Sequence, residues 1–242
     1  MPVATGEVQV TYVTGPGDDV TAGISKVDAR QLAEGSPVRE FPVYVGRRNY
    51  SGYFWSSTMS RHVVYESLLE LSWLWLADFD PAVARIAAQP MRLRGRDGDR
   101  VRNRIPDFIS LLRDGTVRVV DVKPAAMLAT DEVEASLAWT RGVCRSRGWE
   151  YEIWTGPDPT TLRNVQWIAA ARQPHMSASL DARATTVKAS GGCTFGELEA
   201  RLRAEGRAAP RLEILGAIWR GLLTCDLSVP LCSQSWLEPV DE

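Results

Sequence analysis

The segment Ile105-Pro106-Asp107-Phe108-Ile109 is followed, after an Asp114-Gly115 turn, by Val119-Val120-Asp121-Val122-Lys123-Pro124. Val117 to Val122 is rich in β-branched residues, and a strand's period of two points Asp121 and Lys123 to one side and Val120 and Val122 to the other. Pro106 biases Ile105 to extended geometry, which helps place Asp107 at a bend or strand end. Two acids and a lysine thus fall where a buried sheet is ordinarily apolar. Alone, Asp107 reads as a turn cap and Asp121 with Lys123 as a surface pair. Their conjunction in so short a stretch points to chemistry.

Lysine usage adds weight to this. Only Lys26, Lys123 and Lys188 are lysine, and the remaining basic residues are arginine. Arginine would have served as a casual surface charge at position 123.

Upstream, His62 to Asp78 contains Val63, Val64, Leu68, Leu69, Leu71, Trp73, Leu74, Trp75 and Leu76. This pattern predicts a helix apolar on most of its circumference, buried and ended by Pro81. Glu66 and Glu70, four apart, share one of its faces. The ordinary reading of either acid is the polar edge of a buried helix. Val83 to Leu93 reads as extended and interrupted by Gln89-Pro90, Gly95 to Asp99 as a hairpin turn, and Leu111 to Gly115 as a second turn. A helix from about Asp131 to Arg147, a strand Tyr151 to Trp154 and a helix from about Thr160 to Ala171 complete an α/β pattern. The tryptophans of these elements, Trp73, Trp75, Trp139, Trp149 and Trp154, read as core.

Residues 1–35 combine a β-like run, Val8 to Val13, with Gly15 to Asp19, and read as a partly ordered leader. Pro42 to Val45 and Tyr50 to Trp55 read as short strands. Beyond Gln173-Pro174, helices near Phe195 to Glu205 and Arg211 to Leu222 and a hairpin from Leu223 to Trp236 suggest a winged-helix-like module. The expected boundaries are residues 1–49 for the leader and first strands, 50–174 for a catalytic domain and 175–242 for the C-terminal module.

Composition narrows the function classes. The chain has 242 residues, 45% hydrophobic and 24% charged, with a formal net charge of -2, which is an ordinary globular balance. Leu68 to Phe79, the longest apolar-rich stretch, carries Glu70 and Asp78 and is too short to span a bilayer. With no signal-like leader, the expected compartment is the cytoplasm. Cys144, Cys193, Cys225 and Cys232 form no CxxC pair, and His62 and His175 are the only histidines. Zinc ribbons, redox dithiols and histidine-based sites therefore lack material. Arg92, Arg94, Arg96, Arg100, Arg102 and Arg104 crowd one segment against Asp97 and Asp99, and Arg47-Arg48 form another run. Such patches either meet phosphates or form a solvated hairpin face.

Carboxylates can hold a hard divalent cation, and such a cation both neutralises phosphoryl oxygens and lowers the pKa of an attacking water. Asp107, Asp121 and the Val122 carbonyl supply oxygen ligands, and a helix carboxylate completes the set. Lys123 positions the water or stabilises transition-state charge. Phosphodiester hydrolysis is the reaction this set of groups suits.

In their order, the Glu-bearing helix, Gln89-Pro90, Pro106-Asp107-Phe108 and Asp121-Val122-Lys123-Pro124 resemble the PD-(D/E)xK restriction-endonuclease-like superfamily. Within it the chain is similar to the TnsA-like endonuclease subunit of heteromeric transposases. Ser67-Leu68-Leu69-Glu70, Asp78-Phe79-Asp80-Pro81, Val122-Lys123-Pro124-Ala125-Ala126 and Asn164 add to the likeness. The resemblance implies a restriction-endonuclease-like mixed α/β sheet flanked by helices, and a Mg²⁺-dependent endonuclease, with Mn²⁺ as substitute. It implies cleavage at transposon ends, on the strand opposite the one a DDE-type transposase processes, with a regulatory AAA+ ATPase as a further partner. Catalytic roles fall on Glu70, Asp107, Asp121 and Lys123, with Glu66 as the competing helix acid. Metal ligands fall on Asp107, Asp121, Val122 and Glu70. Gln89 is an accessory candidate, and Arg92, Arg94, Arg102 and Arg104 are candidate contacts to the backbone of double-stranded DNA. The alternatives are a non-catalytic DNA- or protein-binding scaffold and a stand-alone restriction or repair nuclease.

Overall fold

Val10 and Tyr12 alternate with Gln9, Thr11 and Val13, the period of a half-buried strand, and they form β1 (Gln9–Val13), antiparallel to β2 (Asp19–Gly23). The computed structural model describes residues 7–39, 50–172 and 191–240. The strand expected at Pro42–Val45, with Arg47, Arg48, His175 and Lys188, lies outside the described residues. The chain divides into two compact units, one of Met1–Asp78 with Ala82–Gly156, the other of Phe79–Pro81 with Pro157–Glu242.

In the first unit β1 also pairs with β6 (Arg92–Asp97), and β6 with β7 (Arg100–Arg104), giving an antiparallel sheet in the order β2-β1-β6-β7. A short helix α1 (Ala29–Glu34) follows β2, capped by the Asp28 carboxylate, which accepts the Arg30 N–H. The segment read as a partly ordered leader therefore supplies two strands and a helix. Val10, Tyr12, Leu32 and Ala33 bury their side chains in the core.

A second, mixed sheet runs in the order β10-β9-β8-β5, from β5 (Val83–Ala88), β8 (Phe108–Leu112), β9 (Val117–Val122) and β10 (Glu150–Trp154). β9 and β10 are parallel, and such a pair requires a crossover. Helix α3 (Asp131–Ser146) provides it. One core joins the inner faces of both sheets to α3 through Leu93, Ile109, Val119, Trp139 and Val143. Trp139 donates its indole N–H to the Arg96 carbonyl at 3.0 Å. Gly95 makes room for it, since a Cβ there would lie 2.9 Å from Val8 Cγ2 and 3.1 Å from Trp139 Cζ2.

The other face of the mixed sheet is covered by α2 (Leu68–Phe79) and a hairpin of β3 (Gly52–Ser56) and β4 (Arg61–Tyr65), packed on Ile86, Phe108, Val120 and Val122. Trp73 stacks on Phe108 with centroids 4.4 Å apart. Two expectations need correction here. His62, Val63 and Val64 belong to a strand, because Val63 and Val64 are β-branched residues opposite Phe54 and Tyr53, and the helix waits for Ser67. The helix also buries only one side, with Trp73, Leu74, Ala77 and Asp78 inside and Leu68 55% exposed. At its far end the buried Asp78 carboxylate accepts from Ser56 Oγ at 2.6 Å, Thr58 N at 2.9 Å, Ser57 N at 3.0 Å and Ser57 Oγ at 3.1 Å, fixing the hairpin turn.

The second unit holds α4 (Pro159–Ile168), α5 (Phe195–Ala204), α6 (Pro210–Trp219) and a small antiparallel sheet. That sheet consists of β11 (Cys193–Thr194), β12 (Leu223–Thr224) and β13 (Trp236–Pro239), in the order β11-β13-β12. Phe195, Leu198, Leu202, Ile214, Leu215 and Leu237 form its core. Thr194 and Glu197 make a reciprocal capping box at the start of α5. Asn164, buried on α4, donates to the carbonyls of Leu227 and Val229 at 2.9 and 2.7 Å and accepts the Leu231 N–H at 3.1 Å, pinning the connection between β12 and β13. Among the described residues no helix is long and apolar enough to cross a membrane, and all four cysteines are free thiols.

Candidate active site

Asp107 lies just before β8, and Lys123 just after β9, so antiparallel pairing of these strands brings the two together. The Lys123 ammonium donates to Asp107 Oδ2 at 2.8 Å and to the Val122 carbonyl at 3.0 Å. The same Asp107 oxygen accepts the Val122 N–H at 2.7 Å. The Asp107 carbonyl in turn accepts the Gln89 N–H at 2.8 Å, beyond the last register pair of β5 and β8. Burial raises the Asp107 pKa above the usual carboxylate value, Lys123 opposes that rise, and the Asp121 charge adds to it.

Glu70 enters from α2. Its side chain accepts the Glu66 N–H at 2.8 Å and the Ser67 hydroxyl at 3.1 Å, while Ser67 Oγ accepts the Glu70 N–H at 3.1 Å. This is close to a capping box, so Glu70 also holds the start of the helix. Burial first, and the nearby Asp107 charge as a lesser cause, push its pKa from 4.5 up to about 7. Glu66 is engaged elsewhere. It pairs with Arg39, whose Nε donates to Gln89 Oε1 at 2.9 Å. A chain therefore runs from Glu66 through Arg39 and Gln89 to the Asp107 backbone, and Glu66 precedes α2 rather than sharing a helix face with Glu70, as the spacing of four predicts. Gln89 is buried and has a φ of 45°, the left-handed region that a non-glycine residue rarely occupies.

Asp121 is fully buried on the Val119 side of the sheet. Its Oδ2 accepts from Arg104 at 2.9 Å and from the Tyr151 hydroxyl in a short hydrogen bond, while Oδ1 has no hydrogen-bond partner among the described residues. Burial, reinforced by the Asp121 charge, raises the Tyr151 pKa and keeps its hydroxyl a donor. Burial and the same charge push the Cys144 thiol up to about 12, which leaves it unreactive. The structure thus brings Asp107, Val122 and Lys123 into direct contact, sets Glu70 and Asp121 within electrostatic reach of Asp107, and ties the Glu66 carboxylate to Arg39. Among the described residues no three His, Cys, Asp or Glu side chains converge as a ready-made metal cage. Asp107, whose charge burial disfavours, lies within electrostatic reach of Asp121 and of Glu70, and carboxylates of this kind are donors suited to a hard cation.

Arg102 and Arg104, read from the sequence as contacts to DNA, are committed to acids instead. Arg102 pairs with Asp97 and Glu132, and Arg104 with Asp121. Both side chains take the inner side of the β6–β7 hairpin by strand alternation, whereas Arg92 and Arg94 take the exposed outer side. Sequence reasoning missed Arg39 and Tyr151. Tyr151 shares the face of Asp121 because it stands opposite Val119 in the parallel pair, a register that no local sequence signal encodes. The Glu70 cap was legible as Ser67-x-x-Glu70.

The raised Glu70 pKa makes a prediction for the metal-free protein. A carboxyl whose folded pKa exceeds its unfolded one contributes stability that is complete below about pH 4.5 and lost as pH rises through about 7. Apart from a pH-independent offset, E70Q therefore gains on the order of 3 kcal/mol on wild type across that interval. Urea unfolding in chelator-containing buffer at several pH values measures it, and parallel profiles for the two proteins would refute it.

Residues 80–156 match the family model described as TnsA-like endonuclease N terminal. No curated protein matches the chain. The matched stretch holds Gln89, Asp107, Asp121 and Lys123, and the likeness drawn from the motifs stands there. Glu66 and Glu70 precede it.

Proposed function

From a TnsA-like endonuclease domain over residues 80–156, we propose that this protein is the metal-dependent DNA endonuclease subunit of a heteromeric transposase, hydrolysing phosphodiester bonds at transposon ends. The observation that carries the reading is the contact of the Lys123 ammonium with Asp107 Oδ2 and the Val122 carbonyl, with Glu70 and Asp121 each within electrostatic reach of Asp107. Asp107, Asp121, the Val122 carbonyl and Glu70 would hold Mg²⁺, or Mn²⁺ in its place. When bound, the ion neutralises phosphoryl charge and acidifies water. Lys123 places its charge and its protons where a scissile phosphate's developing negative charge needs them. Arg104 and Tyr151 orient Asp121, and Gln89 holds the Asp107 backbone.

Duplex DNA, a DDE-type transposase and an AAA+ ATPase are the partners in this reading, with the C-terminal unit a winged-helix-like module. Protein docking suits that unit better than DNA binding. Its arginines are largely offset by acids, as in Arg203 and Arg211 on Glu199 and Arg207 on the buried Glu213. A non-catalytic scaffold is the second reading, favoured by the occupation of Asp121 Oδ2 by Arg104 and Tyr151.

Calorimetric titration with Mn²⁺ separates the two readings. Wild type binds and a D107A/D121A variant does not if the acids form a metal site. Equal or absent binding in both proteins supports the scaffold.

A further inference from the structure

Strand alternation sorts the arginines of the β6–β7 hairpin into two sets. On the inner side Arg102 and Arg104 meet acids, and Leu93 is buried. On the outer side Arg92, Arg94 and Arg96 stand in a row, exposed, and among the described residues none of their three guanidinium groups has an ion-pair or hydrogen-bond partner. Other arginines of this unit do find acids, as the exposed Arg100 finds Glu132 and the half-buried Arg118 finds Glu150. The row is therefore a local excess of positive charge on a rigid strand.

Its neighbours are neutral hydrogen-bonding groups. Gln9 stands opposite Arg94 and Thr11 opposite Arg92 on one side, and Asn103 opposite Arg94 on the other. Thr21 continues the surface on β2, its hydroxyl 2.9 Å from that of Thr11. Two acids share the face, Asp19 opposite Val13 at its far corner and Glu7, which folds against Gly23.

We infer that this outer sheet face binds the sugar-phosphate backbone of duplex DNA, with Arg92, Arg94 and Arg96 as the phosphate contacts. The inference rests on the nuclease reading for its choice of partner and deepens it. Alternate residues of a strand lie about 6.7 Å apart, so the three guanidinium groups track about 13 Å. One strand of B-form DNA presents a phosphate about every 3.4 Å of axis, enough to meet each arginine in turn. Side-chain amides and hydroxyls are the other groups that contact phosphate oxygens. An acidic protein partner fits less well, because protein interfaces centre on a buried apolar anchor and here Val101 and Val13 sit only at the corners. Strand β7 runs from this face towards Asp107, so DNA held here is held near the acids.

Binding of a labelled duplex without divalent metal, followed by anisotropy through a salt titration, tests the inference. R92A/R94A/R96A binds more weakly, its log–log salt slope smaller by about 2.7 for three lost contacts. The corresponding triple lysine variant keeps the wild-type slope. The thermal unfolding midpoint stays unchanged, since these side chains have no partners to lose. An unchanged slope in the alanine variant, or wild-type protein that shows no salt-dependent duplex binding, would overturn it. So would preferential capture of poly-glutamate that the same substitutions abolish. Neither metal nor cleavage enters the assay, so the calorimetry at Asp107 and Asp121 judges the nuclease reading separately.

Discussion

On the proposed nuclease reading, K123M lowers metal-dependent cleavage of a transposon-end duplex by about 10³-fold, a loss in the range expected when a charge-stabilising or proton-handling group is removed. Lys123 touches both Asp107 and the Val122 carbonyl, so its ammonium stands among the groups that would hold the cation and the reacting phosphate. Its loss also acts on Asp107. Burial already raises that acid's pKa and Lys123 is the main influence opposing the rise, so without the lysine Asp107 gives up its proton less readily. Two effects follow, a missing charge at the phosphate and a weakened acid beside it. Arginine at 123 restores the charge but not the compact ammonium, and recovers little of the activity. Single-turnover cleavage assays in the presence of the transposase partner, with circular dichroism to verify folding, measure the loss. A K123M protein that cuts at the wild-type rate removes Lys123 from the chemistry.

D78A destabilises the first unit by about 3–5 kcal/mol, the usual cost of deleting one partner from a buried charged network. The Asp78 carboxylate is 4% exposed and accepts two backbone N–H groups and two hydroxyls from Ser56, Ser57 and Thr58. Ser56 Oγ is itself buried and accepts the Met59 N–H. Deletion strands these donors in a dry turn and frees the β3–β4 hairpin from the end of α2. D78N costs less, since its amide keeps one acceptor oxygen but turns two donors toward donors. Urea unfolding with an unchanged m-value measures the difference, and a cost below about 1 kcal/mol would deny the turn its anchor.

The local alternation of Val119 to Val122, the Gly115 turn and the Pro81 stop were legible because each depends on near neighbours. Strand β4 was not, since Val63 and Val64 extend an apolar run that fits a helix equally well until β3 is known to lie beside it. The role of the first 35 residues was hidden for a similar reason. Val10 and Tyr12 make sense as core only once β6 has supplied the strand they border. At the site, Asp107, Asp121 and Lys123 could be grouped from sequence because they fall on neighbouring strands, but the contact of Lys123 with Asp107 could not. Arg104 and Tyr151 could not be assigned to Asp121, because one depends on which face a hairpin turns inward and the other on a parallel register set across α3. The same hairpin explains why two of the four arginines read as DNA contacts are tied to acids.

The pairing of Gln9 with Arg94 has a consequence for biosynthesis. During translation β1 leaves the ribosome with only β2 beside it, and its other edge stays open until β6 has been made. Contacts between residues so distant in sequence slow folding and leave an unpaired strand edge available to other chains. Expression at lower temperature, where nascent chains meet one another less often, favours native first sheets over aggregates, and shortening the chain from its amino terminus past Gln9 uncovers the edge of β6 for good.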